Sequence, residues 1–154
     1  MEKKLSYAQF YLRLALGIDF LVLALDRFGV WGRNGGNQVS WGDWGHFLVY
    51  ARQTMSFLPA GLADVLAVAA TAAELIFGIL LIAGLFTRWA ATGSAILTLC
   101  FALSMLLSSG ISSPISYSVF AVSAGSLLLA AVPAYRWSID AWWLKNKSFQ
   151  KIKQ

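Results

Sequence analysis

Residues 72–88 read AAELIFGILLIAGLFTR, and their reading decides the fold. They close an apolar run from Leu62 to Phe86. About 20 apolar residues in a helix cross the ~30 Å of bilayer hydrocarbon, so this run is long enough to span a membrane. Glu74 sits in its middle. An ionised carboxylate at such a depth costs ~2.5–3.5 kcal/mol on insertion scales. It therefore needs a proton, a counter-charge or a polar ligand.

The rest of the chain supports a membrane setting. It is 58% hydrophobic and 12% charged, against roughly 25% charged residues in soluble domains. Four apolar spans stand out: about Tyr7–Leu25, Leu62–Phe86, Ala90–Leu107 and Ile115–Ala134. The predicted fold is all-α, a polytopic up-and-down bundle of four transmembrane helices in one domain, 1–154. The short links TRW and SSGISSP make helices two to four antiparallel neighbours, whereas 26–61 forms a long loop. The N-terminal MEKKLSYAQFYLRL reads as an uncleaved first span.

Charge sets the orientation. Lys3, Lys4, Arg88, Arg136, Lys145, Lys147, Lys151 and Lys153 fall on one side, against Arg27, Arg33 and Arg52 on the other. The positive-inside rule then puts both termini, with the basic tail 135–154, in the cytoplasm and the long loop outside. The net charge of +5 is thus read as topology and contact with anionic lipid, not as a nucleic-acid footprint. Tyr7, Tyr11, Trp89, Trp137, Trp142 and Trp143 fit an inner aromatic belt, and Trp31, Trp41 and Trp44 an outer one. A single cysteine, Cys100, and a single histidine, His46, exclude an intrachain disulfide and a multi-histidine metal site. No metal site is expected, and Cys100 reads as a packing residue.

The intramembrane charges are the candidate site. At ~1.5 Å per residue, Arg13 lies ~9 Å and Asp19 ~18 Å from the cytoplasmic face, and Glu74 ~18 Å from the outer face. Asp19 and Glu74 are therefore expected near one level. On the helical wheel Asp19 shares a face with Leu12, Leu16, Leu23 and Asp26, and Arg13 with Gly17 and Phe20. Arg13 is thus free to pair with a neighbouring helix, Glu74 being one candidate, or to snorkel to the head groups. Two readings remain open. Either the charges fix helix register, or Glu74, Asp19 and His46 exchange protons with a ligand lined by Arg13, Trp41, Trp44 and Gly78. In the loop WGRNGGNQVSWGDWGHFLVYARQTMSFLP, HFLVYARQTMSFL is a short amphipathic segment stopped by Pro59. It is expected to lie over the bundle as a lid, with His46 and Asp43 at its mouth.

Three stretches carry a family resemblance. RLALGIDFLVLALDRFG resembles the opening helix of DoxX-family membrane proteins, AELIFGILLIAGLFTRWAA their second helix, and YRWSIDAWW the segment after their fourth. The resemblance implies a four-helix bundle in a bacterial cytoplasmic (inner) membrane. It marks Arg13, Gly17, Glu74, Gly78, Gly84, Thr87, Arg88, Ser138 and Asp140 as motif positions. The family includes relatives of the membrane subunit of thiosulfate:quinone oxidoreductase. That implies a quinone-linked oxidoreductase subunit, with no cofactor held within the chain, a quinone as ligand, and a redox partner subunit or a second copy as partner. The alternative is a non-catalytic membrane partner or assembly protein. A small proton-coupled transporter is less well supported, because no inverted repeat is visible.

Overall fold

The computed structural model describes residues 2–143 and 145, and all its regular structure is helical. The elements are α1 (Glu2–Asp26), α2 (Trp44–Thr54), α3 (Ala60–Ala83), α4 (Thr87–Ser109), α5 (Ser112–Ser116) and α6 (Val119–Ala130). The tail lysines Lys147, Lys151 and Lys153 lie outside the described residues.

Among the described residues α1, α3 and α4 are long and apolar enough to cross a membrane. The chain is an integral membrane protein. The fourth predicted span, 115–134, is not one continuous helix: it takes in the end of α5 and the 12-residue α6. Ser118 adopts a left-handed φ of 55° between them, and a non-glycine residue in that conformation cannot continue a right-handed helix. The 12 residues of α6 rise ~18 Å, less than the hydrocarbon thickness, and the return to the start of α4, where Asp140 meets Thr87, is completed by α5 and the irregular residues on either side of α6.

The turn between α3 and α4 comes earlier than hydropathy suggests. Gly84 has φ 67°, and Leu85 N donates to Leu80 O at 3.0 Å. This glycine C-cap ends α3 at Ala83. Apolar character continues through Leu85 and Phe86, so hydropathy alone cannot see the stop.

α1 and α3 run antiparallel and cross closely through two glycines. A Cβ built on Gly17 would stand 2.7 Å from Ile82 Cγ1 and 3.0 Å from Gly78 O. One on Gly78 would stand 2.9 Å from the Leu21 side chain and 3.1 Å from Gly17 O. Small residues permit this backbone approach, which helices in lipid use in place of a hydrophobic driving force. Leu16, Phe20, Leu81, Ala90, Ala91 and Leu129 form the core beside the crossing. α4 pairs with α6, where Ser123 Oγ donates to Ala95 O at 2.8 Å.

The crossing offsets α1 along the bundle. Arg13 reaches Gly84 at the end of α3, so the first turns of α1 project past the α3–α4 turn. There Tyr7 and Phe10 pack on Trp137, with ring centroids 5.1 and 5.6 Å apart. At the other end α1 stops about level with Thr71, one turn past Glu74, and α2 covers the exposed start of α3. Phe47, Ala51 and Ala67 are buried together there, and Arg52 grips Asp64 through two bonds of 2.7 Å. Cys100 is exposed on the bundle surface and is not a packing residue.

Candidate functional site

Glu74 is buried, with 2% exposure, ~21 Å along α3 from Ala60 and ~14 Å from Ala83. Its counter-charge is Arg27, one residue beyond α1. Arg27 Nη1 ion-pairs with Glu74 Oε2 and donates to Thr71 Oγ1. Thr71 sits one turn from Glu74, so both present to the same guanidinium, and its own hydroxyl donates to Ala67 O at 2.8 Å. The rings of Phe47 and Trp41 lie 4.0 and 5.3 Å from the Arg27 guanidinium carbon. These cation–π contacts hold the cation in a desolvated setting. Trp41 stands there because Asp26 Oδ2 accepts from Ser40 N at 3.0 Å and Trp41 N at 2.8 Å. Adjacent residues Asp26 and Arg27 thus close the loop onto the bundle, one by backbone amides and one by an ion pair.

This geometry bears on how the three intramembrane charges are arranged. Arg13 does not meet Glu74. It is 1% exposed near the middle of α1, beside the end of α3, donating to Trp137 O at 2.6 Å with Phe10 5.3 Å from its guanidinium carbon. Asp19 and Glu74 do not share a level. Asp19 lies ~9 Å beyond Arg13, and Glu74 ~15 Å beyond Gly84, which Arg13 touches. Nor do they face each other, since Glu74 is buried and Asp19 is exposed on the outer flank of α1. Asp19 has no hydrogen-bond or ion-pair partner among the described residues, and Glu74 feels it only as a nearby like charge. It lies in a shallow groove of ~470 Å³ lined by Tyr11, Leu14, Ala15, Ile18 and Val22.

His46 is not in the bundle mouth. Its amide donates to Asp43 Oδ1 at 2.9 Å, capping α2, and its Nδ1 lies 2.6 Å from Asp43 Oδ2 on the exposed surface. These bonds from the His46 amide and ring hold the Asp43 carboxyl below its ordinary value. Trp44 stacks on Phe28 at 5.9 Å and packs on Phe47. Trp41 and Trp44 therefore form a roof, as expected of a lid, but one closed over Arg27. Gly78 touches the α1 backbone and serves packing.

A second polar junction joins the motif positions at the Arg13 end. Asp140 Oδ1 accepts from Phe86 N at 2.9 Å and Oδ2 from Thr87 N at 2.8 Å, so a residue 53 positions away in sequence caps α4. Asp140 N returns a bond to Gly84 O at 3.0 Å, and its charge acts on Arg13. Ser138 Oγ accepts from Ala141 N at 3.1 Å and donates to Tyr135 O at 2.7 Å. Gly84 is tightly enclosed: a Cβ there would lie 2.5 Å from Ser138 Cβ and 2.6 Å from Arg13 Nη1.

The family model described as DoxX matches residues 8–107. The chain belongs to the DoxX family. No curated protein and no solved structure matches it. Of the DoxX motif positions expected from resemblance, Arg13, Gly17, Glu74, Gly78, Gly84, Thr87 and Arg88 fall inside the matched stretch. Ser138 and Asp140 fall outside it, yet they close the same junction. In this DoxX protein Arg27, Asp26 and Thr71 are the site residues that sequence reasoning passed over. The available signal was an Asp-Arg pair directly after an apolar helix, in a chain with an unpaired intramembrane acid elsewhere.

Proposed function

We propose that this chain is the membrane-embedded docking subunit of a quinone-linked oxidoreductase. It seats a partner subunit's transmembrane helix against α1, and Asp19 anchors that helix. The observation that carries the reading is Asp19, a carboxylate exposed at membrane depth without a hydrogen-bond or ion-pair partner among the described residues. Such a group costs ~2.5–3.5 kcal/mol unless something answers it. Tyr11, Ala15, Ile18 and Val22 recur at helical spacing around it, and Ala15 permits close approach.

Charge complementarity favours a foreign helix bearing Lys or Arg at this level. On a second copy the arginines flanking this level among the described residues, Arg13 and Arg27, are 1% and 4% exposed and offer no cation there. Electrons would reach the quinone through the partner, since this chain has one cysteine and one histidine. Glu74 is read as a structural lock rather than a proton donor. Arg27 already neutralises it, and Trp41 and Phe47 roof the pair.

Membership of the DoxX family supports the oxidoreductase setting by resemblance. The placement is a bacterial cytoplasmic membrane with both termini inside. Lys3, Lys4, Arg88 and Arg136 gather at the Arg13 end, whereas Arg27 and Arg52 at the other end are neutralised by Glu74 and Asp64.

The test is purification from native membranes in mild detergent, with quinone reduction assayed using thiosulfate or sulfide. Wild type should carry a stoichiometric partner and reduce quinone, and Asp19→Asn should lose both while staying folded. Equal partner content and turnover in the two proteins would sink the reading.

A further inference from the structure

We infer, resting on the reading that a partner helix docks on α1, that Trp31 completes the docking face as a fixed aromatic plate. The partner helix that fits this face carries a small residue one turn from its cation.

Trp31 reaches this face because the chain turns back after α1. Val30 N donates to Leu25 O at 3.4 Å, and Gly32 N to Gly29 O at 3.2 Å. Gly29, at φ 72°, supplies the reversal. The indole then lies against α1, where Trp31 Nε1 donates to Val22 O at 2.8 Å. Val22 lines the groove that holds Asp19, at the end away from Tyr11. Trp31 is nonetheless 48% exposed.

An aromatic-belt Trp keeps its N–H at the head-group level for a polar partner. The one donor of the Trp31 side chain is engaged by Val22 O instead, so covering the ring breaks no hydrogen bond to water or lipid. The same bond fixes the ring, which reduces the side-chain freedom lost on contact. Large, preoriented aromatic surfaces are the side chains that dominate association interfaces.

The spacing of Trp31 from Asp19 sets the partner's pattern. Val22 lies three residues beyond Asp19, ~4.5 Å along the axis. A helix whose Lys or Arg meets Asp19 therefore has the residue one turn from that cation against the indole, in either chain direction. Ala or Gly at that position allows the backbones to approach as closely as Ala15 already permits. Leu there meets the ring and holds the cation away from Asp19.

The experiment reconstitutes the full chain in phosphatidylcholine vesicles and measures its association with synthetic Leu-rich transmembrane peptides by energy transfer. One peptide has a central Lys with Ala one turn away on both sides, which makes the pattern independent of chain direction. A second keeps the Lys but has Leu at the flanking positions. A third keeps the Ala residues and has Leu in place of Lys. The Lys/Ala peptide should bind wild type roughly five-fold more tightly than the Lys/Leu peptide. Trp31→Ala should remove that preference and keep the preference for a central Lys. Asp19→Asn should remove the preference for Lys. Equal binding of the Lys/Ala and Lys/Leu peptides to wild type would overturn the inference and leave the docking at Asp19 standing. Equal binding with and without the central Lys would overturn both. An Ala preference that persists in folded Trp31→Ala would overturn the role of Trp31. Circular dichroism establishes folding, and the wild-type comparisons decide the matter if Trp31→Ala does not fold.

Discussion

Neutralising Glu74 should destabilise the protein far more than neutralising an exposed acid. In Glu74→Gln the side chain keeps its shape and one acceptor but leaves Arg27 charged, 4% exposed and enclosed by Phe47 and Trp41. Breaking a buried pair from one side typically costs ~3–5 kcal/mol, because the surviving charge is uncompensated. At ~1.4 kcal/mol per decade this is roughly two to four decades in the unfolding equilibrium. Arg27→Met should cost a similar amount and also free the loop that Asp26 and Arg27 close together. The double variant Arg27→Met/Glu74→Leu should be more stable than either single one, since an apolar pair of similar volume removes both desolvation costs. The assay is a double-mutant cycle on unfolding in mixed detergent micelles, with quinone reduction recorded in parallel. A coupling below ~0.5 kcal/mol, the level of independent sites, would refute the lock. So would a Glu74→Gln variant of native stability that has lost quinone reduction, because Glu74 would then be chemical.

Gly17→Ala should lower stability by ~1–3 kcal/mol, the usual cost of overpacking. Ile82 can swing away, but Gly78 O, 3.0 Å from the new Cβ, is backbone and cannot; a melting curve identical to wild type would count against the close crossing. Asp140→Ala should leave the Phe86 and Thr87 amides uncapped, for ~1–3 kcal/mol, with faster hydrogen exchange at those two amides. Asp43 makes the α2 cap pH-dependent. Its folded value lies below the ordinary 3.8, so the cap's contribution is complete above that value and is lost as pH falls through the lower folded one. Hydrogen exchange at the His46 amide should accelerate only in that acid window, and Asp43→Ala should abolish the dependence.

The sequence reveals the long helices and the covering loop, because a 20-residue apolar run has few other uses. The face shared by Arg13, Gly17 and Phe20 is also legible, and all three are buried. The depth argument fails for an identifiable reason. It assumed that α1 and α3 enter the membrane at matching ends, whereas Gly17 against Gly78 and Ile82 slides α1 toward the Arg13 end. That shift brings Arg27, apparently a loop charge, to Glu74 and takes Asp19 to another level. The wheel also placed Asp19 with Leu16 and Asp26, which are buried while Asp19 is exposed. α1 packs on α3 and, at Leu12, on α6, and Asp19 lies beyond the edge of the face these contacts bury. The break at Ser118 has a signal in the sequence, the polar residues Ser116, Tyr117 and Ser118 after Pro114, which the reading of 115–134 as one span passes over. Asp140 is visible as a motif position, but its partners are amides 53 and 54 positions away, beyond any local pattern.

The docking face on α1 can be tested most directly by photo-cross-linking in native membranes, with the reactive group placed at Ile18 or Val22 beside Asp19. The predicted product joins this chain to a different protein, through a transmembrane helix carrying Lys or Arg at the level of Asp19. That product should disappear in Asp19→Asn. Cross-links to lipid alone, or to a second copy of this chain irrespective of Asp19, would contradict the account.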